Sequence, residues 1–373
     1  MLSSCGDAHP VMVAHAATAA ALERLEPSRE ANDFARFIAG LPGNEESAFR
    51  ALESSPIWQE HRRLVDAAWQ KAESERLSGM REFQRTELGG DVVQDKTVFY
   101  PFGGPDALTA TLYFPNHPLY VVVGLEPAGT LPTFRDTAKK DLATYLHGLR
   151  ESTASAIGHS FFVTREMDRQ YRGQITDGVM VPILDLLVRT GHSILGYRYI
   201  RIDEQGTIVG RRADYHAPGK IGNKGIDIEF RWDADQSIHR LLYFSVNLAD
   251  ARLRSDPQFL AYASGLKDVV TLLKATSYMP HHAEFSMIRD VILKQSRAIL
   301  QDDSGIPYRL FDPTHWSVQL FGGYQKPYGS FRWLEQPDLR KAYEETGAKS
   351  LPMAIGYGYR RVPSNLQLAR RRN

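Results

Sequence analysis

Carboxylates at the ends of apolar runs are the residues of this chain best placed to do chemistry. Asp302-Asp303-Ser304-Gly305 follows Ile299-Leu300-Gln301. Asp-Ser-Gly after an apolar run is how aspartic proteases present carboxylates that share one proton. That chemistry needs a second aspartate loop, and the first half of the chain offers Thr190-Gly191-His192-Ser193 instead, so the protease reading is rejected. The pair Asp302 and Asp303, beside Tyr308-Arg309, remains a candidate ligand-binding cluster that includes Arg309. The plainer account is a turn in which Asp303 and Ser304 hydrogen-bond the backbone.

Glu126 follows one strand-like run, Leu119 to Leu125, and Asn247 lies near the end of another, Leu241 to Leu248. Polar residues at strand ends sit on rigid backbone beside exposed loops, where ligands are commonly held. Asp106 closes a stiff connector, Pro101-Phe102-Gly103-Gly104-Pro105, whose prolines fix φ while its glycines permit unusual turns. Two carboxylates converging on a cleft suit glycoside hydrolysis. Strand ends also simply need polar caps, and the sequence gives no separation.

Other reaction centres are missing their signatures. The twelve histidines show neither His-x-x-x-His nor His-Glu-x-x-His, so no metal site is expected. There is no Gly-x-Ser-x-Gly nucleophile elbow. Gly219, Gly222 and Gly225 match neither a phosphate loop nor a dinucleotide fingerprint, and no cofactor is implied. The aromatic stretch from Trp316 to Trp333 is a candidate sugar-stacking platform, although aromatics of short strands more often fill a core.

The elements that must position these residues read as α+β. A helical N-terminal arm spans 1–90: Phe34, Phe37, Ile38 and Leu41 form a one-sided apolar stripe, and Glu45 to Leu88 reads as helix broken at Ser55-Pro56. Thr97 to Tyr100 and Leu108 to Phe114 read as strands. The strand before Glu126 is followed by helical runs through Leu149 and Val188, then a strand, Ser193 to Ile202. The strand before Asn247 is followed by helical runs through Leu273 and Leu300, then a strand, Gly305 to Phe311. Tyr145 and Tyr262, Gly148 and Gly265, Leu149 and Leu266, and Ser160 and Ser277 are all 117 residues apart. The expectation is two pseudo-symmetric strand-helix-helix-strand halves, 91–215 and 216–373, with a ligand cleft between them. Ile355 to Tyr359 and Asn365 to Ala369 are expected to close the chain as an antiparallel pair.

The chain has 373 residues, 43 % of them hydrophobic and 24 % charged, typical of globular proteins. Forty-five basic and 44 acidic residues give a net charge of +1, which offers no electrostatic footprint for nucleic acid or an anionic membrane. The single cysteine, Cys5, excludes a disulfide within one chain. Leu2-Ser3-Ser4-Cys5-Gly6 fits the pattern at which bacterial lipoproteins are cleaved and lipidated, which makes Cys5 a candidate lipidation site. The charged and apolar segments of a signal peptide do not precede it in this sequence.

Tyr100-Pro101-Phe102-Gly103-Gly104-Pro105-Asp106, Val123-Gly124-Leu125-Glu126-Pro127 and Ile299 to Tyr308 are similar to stretches in a family of uncharacterised bacterial envelope proteins. The resemblance covers about residues 95–325. It implies an exported bacterial protein and supplies no catalytic residues, because the family has no assigned activity. The function expected is a non-catalytic protein of the cell envelope or periplasm that binds a small molecule, glycan or envelope protein and meets the membrane only through a lipid on Cys5. The alternatives are a hydrolase of a glycan or cell-wall polymer using paired carboxylates, and a cytoplasmic structural protein.

Overall fold

A computed structural model of the chain describes residues 23–89, 97–132, 141–159, 161, 178–211, 224–327, 329–358 and 364–372. Cys5, the linker glycines 219 and 222, and Ser160 lie outside the described residues. Among those described, ten strands form one sheet: β1 (Thr97–Tyr100), β2 (Leu119–Gly124), β3 (His192–Ile202), β4 (Ile208–Arg211), β5 (Lys224–Trp232), β6 (Ile238–Ser245), β7 (Val269–Leu273), β8 (Ser296–Gln301), β9 (Trp316–Gly322) and β10 (Asn365–Arg371). Their order is β4-β3-β5-β6-β2-β1-β7-β8-β10-β9.

The middle of the sheet is parallel. β6, β2, β1, β7 and β8 all run the same way. Each contains an apolar run, as expected of strands covered on both faces. Leu119 to Val123 are all buried, and so is every residue of β7. Renumbered among themselves, the five strands have the order 3-2-1-4-5. The chain therefore leaves β1 toward β2 on one side and leaves β7 toward β8 on the other. In open parallel sheets the connections diverge at such a point and leave a crevice at the carboxyl ends of the strands. Antiparallel strands extend the sheet at both ends.

Eleven α-helices are described: α1 (Arg29–Ile38), α2 (Arg50–Glu53), α3 (Pro56–Ala72), α4 (Ser78–Glu87), α5 (Ala107–Tyr113), α6 (Leu142–His159), α7 (Met180–Arg189), α8 (Asp250–Ser255), α9 (Gln258–Ser264), α10 (Ser286–Gln295) and α11 (Pro337–Thr346). The strand pleat sends alternate residues to opposite faces. Val98, Tyr100, Tyr120 and Val122 join a core with α1 and α3 to α7. Phe99, Leu119, Val121 and Val123 join another with α8, α9 and α10. The architecture is thus mixed α and β with a helical N-terminal region packed on one face. Ser28 caps α1 and Ser55 caps α3, each side chain accepting from a backbone N–H three residues on. A π-helical turn, Glu73–Leu77, joins α3 to α4 and turns Arg76 inward to donate to the Ile157 carbonyl (2.7 Å).

The structure corrects several expectations. Leu108 to Phe114 is not a strand: Asp106 accepts from the Thr109 N–H (3.0 Å) and starts α5, whose seven residues are all buried, so no polar face marks it. The helical run through Leu273 stops at Ser264, and Val269–Leu273 is the central strand β7, paired on both sides. Leu300 lies in β8 rather than in a helix. Gly305 to Phe311 is not a strand: Tyr308–Leu310 is a 3₁₀ turn, and the Gln301 side chain hydrogen-bonds both the N–H and the carbonyl of Ile306. β10 pairs with β8 and β9, while Gly356–Gly358 is a 3₁₀ turn. β2 and β6, the strands before Glu126 and Asn247, are parallel neighbours, but the helix carrying Tyr145 packs on one face of the sheet and the helix carrying Tyr262 on the other. The expected halves diverge further on. β3 lies antiparallel to β5 toward one edge, whereas β7 is parallel to β1 at the centre.

Candidate functional site

The loops after β6, β2, β1 and β7 surround an open cleft of about 910 Å³. It lies where parallel-sheet topology places a binding crevice. After β1 the chain turns tightly. The Gly104 N–H donates to the Val123 carbonyl (3.0 Å), which ties this turn to the end of β2. Gly104 has φ +57°, a conformation that glycine adopts at little cost. A Cβ on Gly124 would lie 3.0 Å from the Gly104 Cα, so the two loops meet backbone to backbone.

Asp106 ends the first turn and is buried. One carboxylate oxygen caps α5. The other accepts from the Tyr100 hydroxyl (3.0 Å) and from the Lys274 ammonium (2.6 Å). Lys274 follows β7 directly and also donates to the Thr109 hydroxyl (2.7 Å). Burial pushes its pKa down, and the Asp106 charge opposes that shift. Burial first, and then the Asp106 charge, drive the Tyr100 phenol well up, so it stays neutral.

The next residues form an unusual loop. Ala275, Ser277 and Tyr278 have φ of +49°, +56° and +56°, a region costly for residues with a Cβ. Asp302, Ser304 and Tyr357 hold it in place. Asp302 accepts from the Ala275 N–H (2.9 Å), the Ser304 hydroxyl from the Thr276 N–H (2.9 Å), and the Tyr357 hydroxyl from the Ser277 N–H (3.0 Å). Asp303 accepts from the Tyr278 hydroxyl (2.6 Å) and the Asn365 amide (3.1 Å). Burial and the neighbouring Asp302 charge push Asp303 up to about 7. Burial also raises Asp302, against the hydrogen bonds it accepts. This pair therefore works behind the cleft wall as a brace, the turn role weighed against a ligand cluster. Arg309 is exposed on its 3₁₀ turn and does not line the cleft.

Three of the expected residues do meet there: Asp106, Glu126 and Asn247. Glu126 follows β2, and its carboxylate folds back to accept from the Leu125 N–H (3.1 Å). Its carbonyl accepts from the Tyr243 hydroxyl of β6 (2.8 Å). Asn247 is exposed, and its side-chain oxygen accepts from the Ala249 N–H (3.0 Å). Aromatic rings supply much of the wall. Phe102 and Phe285 meet edge to face at 6.0 Å, and Tyr357 has Phe161 at 5.1 Å and Phe331 at 5.4 Å. Lys274 was not singled out in the sequence; Ser277 stood only as a repeat position, Phe331 within the aromatic stretch weighed as a sugar platform, and Tyr357 within an expected strand. The one local signal was a lysine ending the run Val269-Val270-Thr271-Leu272-Leu273.

Among the described residues no group of three His, Cys, Asp or Glu side chains is placed to hold a metal ion. No described helix is long and apolar enough to cross a membrane. No family model matches the chain, and no curated protein or solved structure matches it.

Proposed function

We propose that the protein binds a small organic ligand in the cleft over the carboxyl ends of the parallel strands, and does so without catalysis. The observation that carries this reading is the cleft itself: about 910 Å³, aromatic-walled, with a few polar groups from four strand ends, as small-molecule sites generally are. The site belongs to one sheet, so the reading needs no duplicated module. The absence of catalysis is inferred from the carboxylates, whose hydrogen bonds hold the fold: Asp106 caps a helix and pairs with Lys274, while Asp302 and Asp303 brace a strained loop.

The place of action in this proposal is the bacterial cell envelope, with a lipid on Cys5 as the only membrane attachment. It rests on the Leu2-Ser3-Ser4-Cys5-Gly6 pattern and on the sequence resemblance. Radiolabelled palmitate incorporated into the wild type and lost in Cys5→Ser supports attachment. Equal labelling of both removes it.

A glycan hydrolase is the second reading, favoured by Asp106 and Glu126 bordering one cleft. Release of reducing sugar from cell-wall fragments that ends in Glu126→Gln would establish it over the first.

Ligand-observed NMR of the full chain against a panel of metabolites and glycan fragments tests binding. Leu125 lines the cleft and is 46 % exposed, so Leu125→Trp blocks the opening without disturbing the core. Signals present with wild type and lost in Leu125→Trp support the reading. A panel with no such signal defeats it.

A further inference from the structure

A second groove, of about 480 Å³, shares no described lining residue with the cleft. It lies at the other end of the sheet. β3 is antiparallel to β5, and β5 to β6, so β3 runs the same way as β2. His192 opens β3, Pro115 lies shortly before β2, and Trp232 ends β5, so all three stand at the amino ends of the parallel strands. His192 and Trp232 are opposite each other in the β3–β5 pair, which sends both side chains to one face. Phe230, two residues before Trp232, belongs to the core shared with α4, α5 and α7, so the pair faces those helices. The groove is the gap between this pair, the end of α5 and the exposed side of α4.

Its inner side holds an acceptor without a donor. His192 is 4 % exposed. Its Nδ1 lies 3.0 Å from the Leu187 carbonyl, which only accepts, so the ring proton is on Nδ1. Burial pushes the pKa down to about 4, and the imidazole is neutral at physiological pH. Nε2 is therefore an acceptor, and no described residue donates to it. Buried acceptors in folded proteins are normally paired. Trp232, half-buried, offers a ring surface on the same wall.

The rim carries opposite charges. Glu82 and Arg85 are exposed and three residues apart on α4, which makes them neighbours on the helix surface. They do not pair with each other, and neither has an ion-pair partner among the described residues. Arg81, also on the rim, is already held by Glu73. An ammonium and a carboxylate borne by one carbon match such a pair, the first toward Glu82 and the second toward Arg85. The α-carbon of a free amino acid carries both. A side chain running inward from there meets Trp232 and then His192, whose acceptor calls for a ring that ends in an O–H or N–H.

We infer that this groove binds a free aromatic amino acid with a donor on its ring, tyrosine or tryptophan, with the α-ammonium on Glu82, the α-carboxylate on Arg85, the ring against Trp232 and the ring donor on His192 Nε2. The groove is separate from the cleft, so it holds its ligand whether or not the cleft holds one.

Saturation-transfer NMR titration of the full chain with L-tyrosine is the test. L-Phenylalanine, tyramine and 3-(4-hydroxyphenyl)propionate each lack one of the three polar groups. L-Tyrosine is expected to bind tightest, and L-tryptophan to compete with it. Phenylalanine should be weaker about two- to tenfold, the effect of one missing hydrogen bond. Tyramine and the propionate should each be weaker about tenfold, the effect of a missing charged partner. Arg85→Gln should weaken L-tyrosine about tenfold and leave tyramine unchanged. Glu82→Gln should weaken L-tyrosine likewise and leave the propionate unchanged. Both side chains are exposed, so neither change touches the core, and thermal melts check that the variants are folded. Leu125→Trp, which blocks the cleft, should leave the L-tyrosine signal as in wild type. Loss of the signal in Leu125→Trp would place tyrosine in the cleft and overturn the assignment. Phenylalanine binding as tightly as tyrosine, an L-tyrosine affinity unchanged in either α4 variant, or no binding at all would overturn it too.

Discussion

The Lys274 ammonium lies 2.6 Å from the Asp106 carboxylate, and both side chains are almost completely buried. This pair joins the two central strands on either side of the point where the connections diverge. Removing one partner of a buried pair leaves an uncompensated charge and costs about 3–5 kcal/mol. Asp106→Ala should lose about that much at pH 6 in denaturant unfolding, together with the α5 cap. Burial already depresses Lys274, and without Asp106 the depression deepens. The native variant then binds fewer protons than its unfolded chain, so its stability rises with pH. Asp106→Ala should therefore be less damaging, relative to wild type, at pH 9 than at pH 6. An equal deficit at both values would mean that Lys274 does not feel the loss.

Asp303 predicts the opposite slope. Its pKa is raised from the ordinary carboxylate value of 3.8 to about 7 by burial and by Asp302. Between those values the native state holds a proton that the unfolded chain releases, so this group's contribution is present below about pH 4 and is lost as pH rises through about 7. Asp303→Asn keeps the shape without the charge, and the Tyr278 hydroxyl can rotate to accept from the new amide. The variant should gain stability over wild type at pH 8 relative to pH 5, read as the difference in melting temperature. His61 and His192, which are buried, and the half-buried His281 are each pushed down to about 4. They take stability away as pH falls from about 6.5 to 4, in wild type and variant alike, so the difference cancels them and reports the Asp302 and Asp303 pair.

Local pattern carried part of this structure. The five-residue apolar run of β2, the stripe of α1 and the helix break at Ser55-Pro56 depend on neighbours in sequence, and each was legible. What decided the centre of the sheet was not local. Val269 and Leu273 continue the helical spacing set by Phe259, Tyr262 and Leu266, yet β7 lies between β1 and β8 and is buried throughout. α5 is hidden for the converse reason, since a helix buried on every side shows no amphipathic period. The site followed the same division. Glu126 and Asn247 stand at strand ends and Asp106 closes the Gly-Pro connector, and each was visible as such. Lys274 and Tyr357 reach the cleft only through strand order and a long return of the chain. Asp302 and Asp303 drew notice for their chemistry, but the strained backbone that needs them was not visible in sequence.

That strain gives a third prediction. Ala275 has φ +49°, which costs a residue with a Cβ roughly 1–2 kcal/mol. Glycine removes the penalty but loses about 0.5–1 kcal/mol in chain entropy. Ala275→Gly should therefore stabilise the protein by up to about 1 kcal/mol in denaturant unfolding, and a stability unchanged or reduced would show that the loop relaxes around alanine. Its neighbour Ser277 lines the cleft, so hydrogen exchange at 275–278 should quicken in the same variant if alanine stiffens the wall.

Gly124 is a tightly packed point of the candidate site. A methyl group there would lie 2.6 Å from the Tyr243 hydroxyl, 2.7 Å from Glu126 Oε2 and 3.0 Å from the Gly104 Cα. Tyr243 is wholly buried and Gly104 is backbone, so neither yields easily. Overpacking of this kind costs about 1–3 kcal/mol, and moving Glu126 should weaken any ligand held by its carboxylate. Tyr243→Phe provides the control. Alone it loses the hydrogen bond to the Glu126 carbonyl and costs roughly 0.5–1.5 kcal/mol. Combined with Gly124→Ala it also removes the nearest clash, so the double variant should be more stable than the sum of the single effects. Residues in contact depart from additivity by about 0.5–3 kcal/mol. Strict additivity in a double-mutant cycle would mean that the β2 end yields as a whole instead of meeting Tyr243.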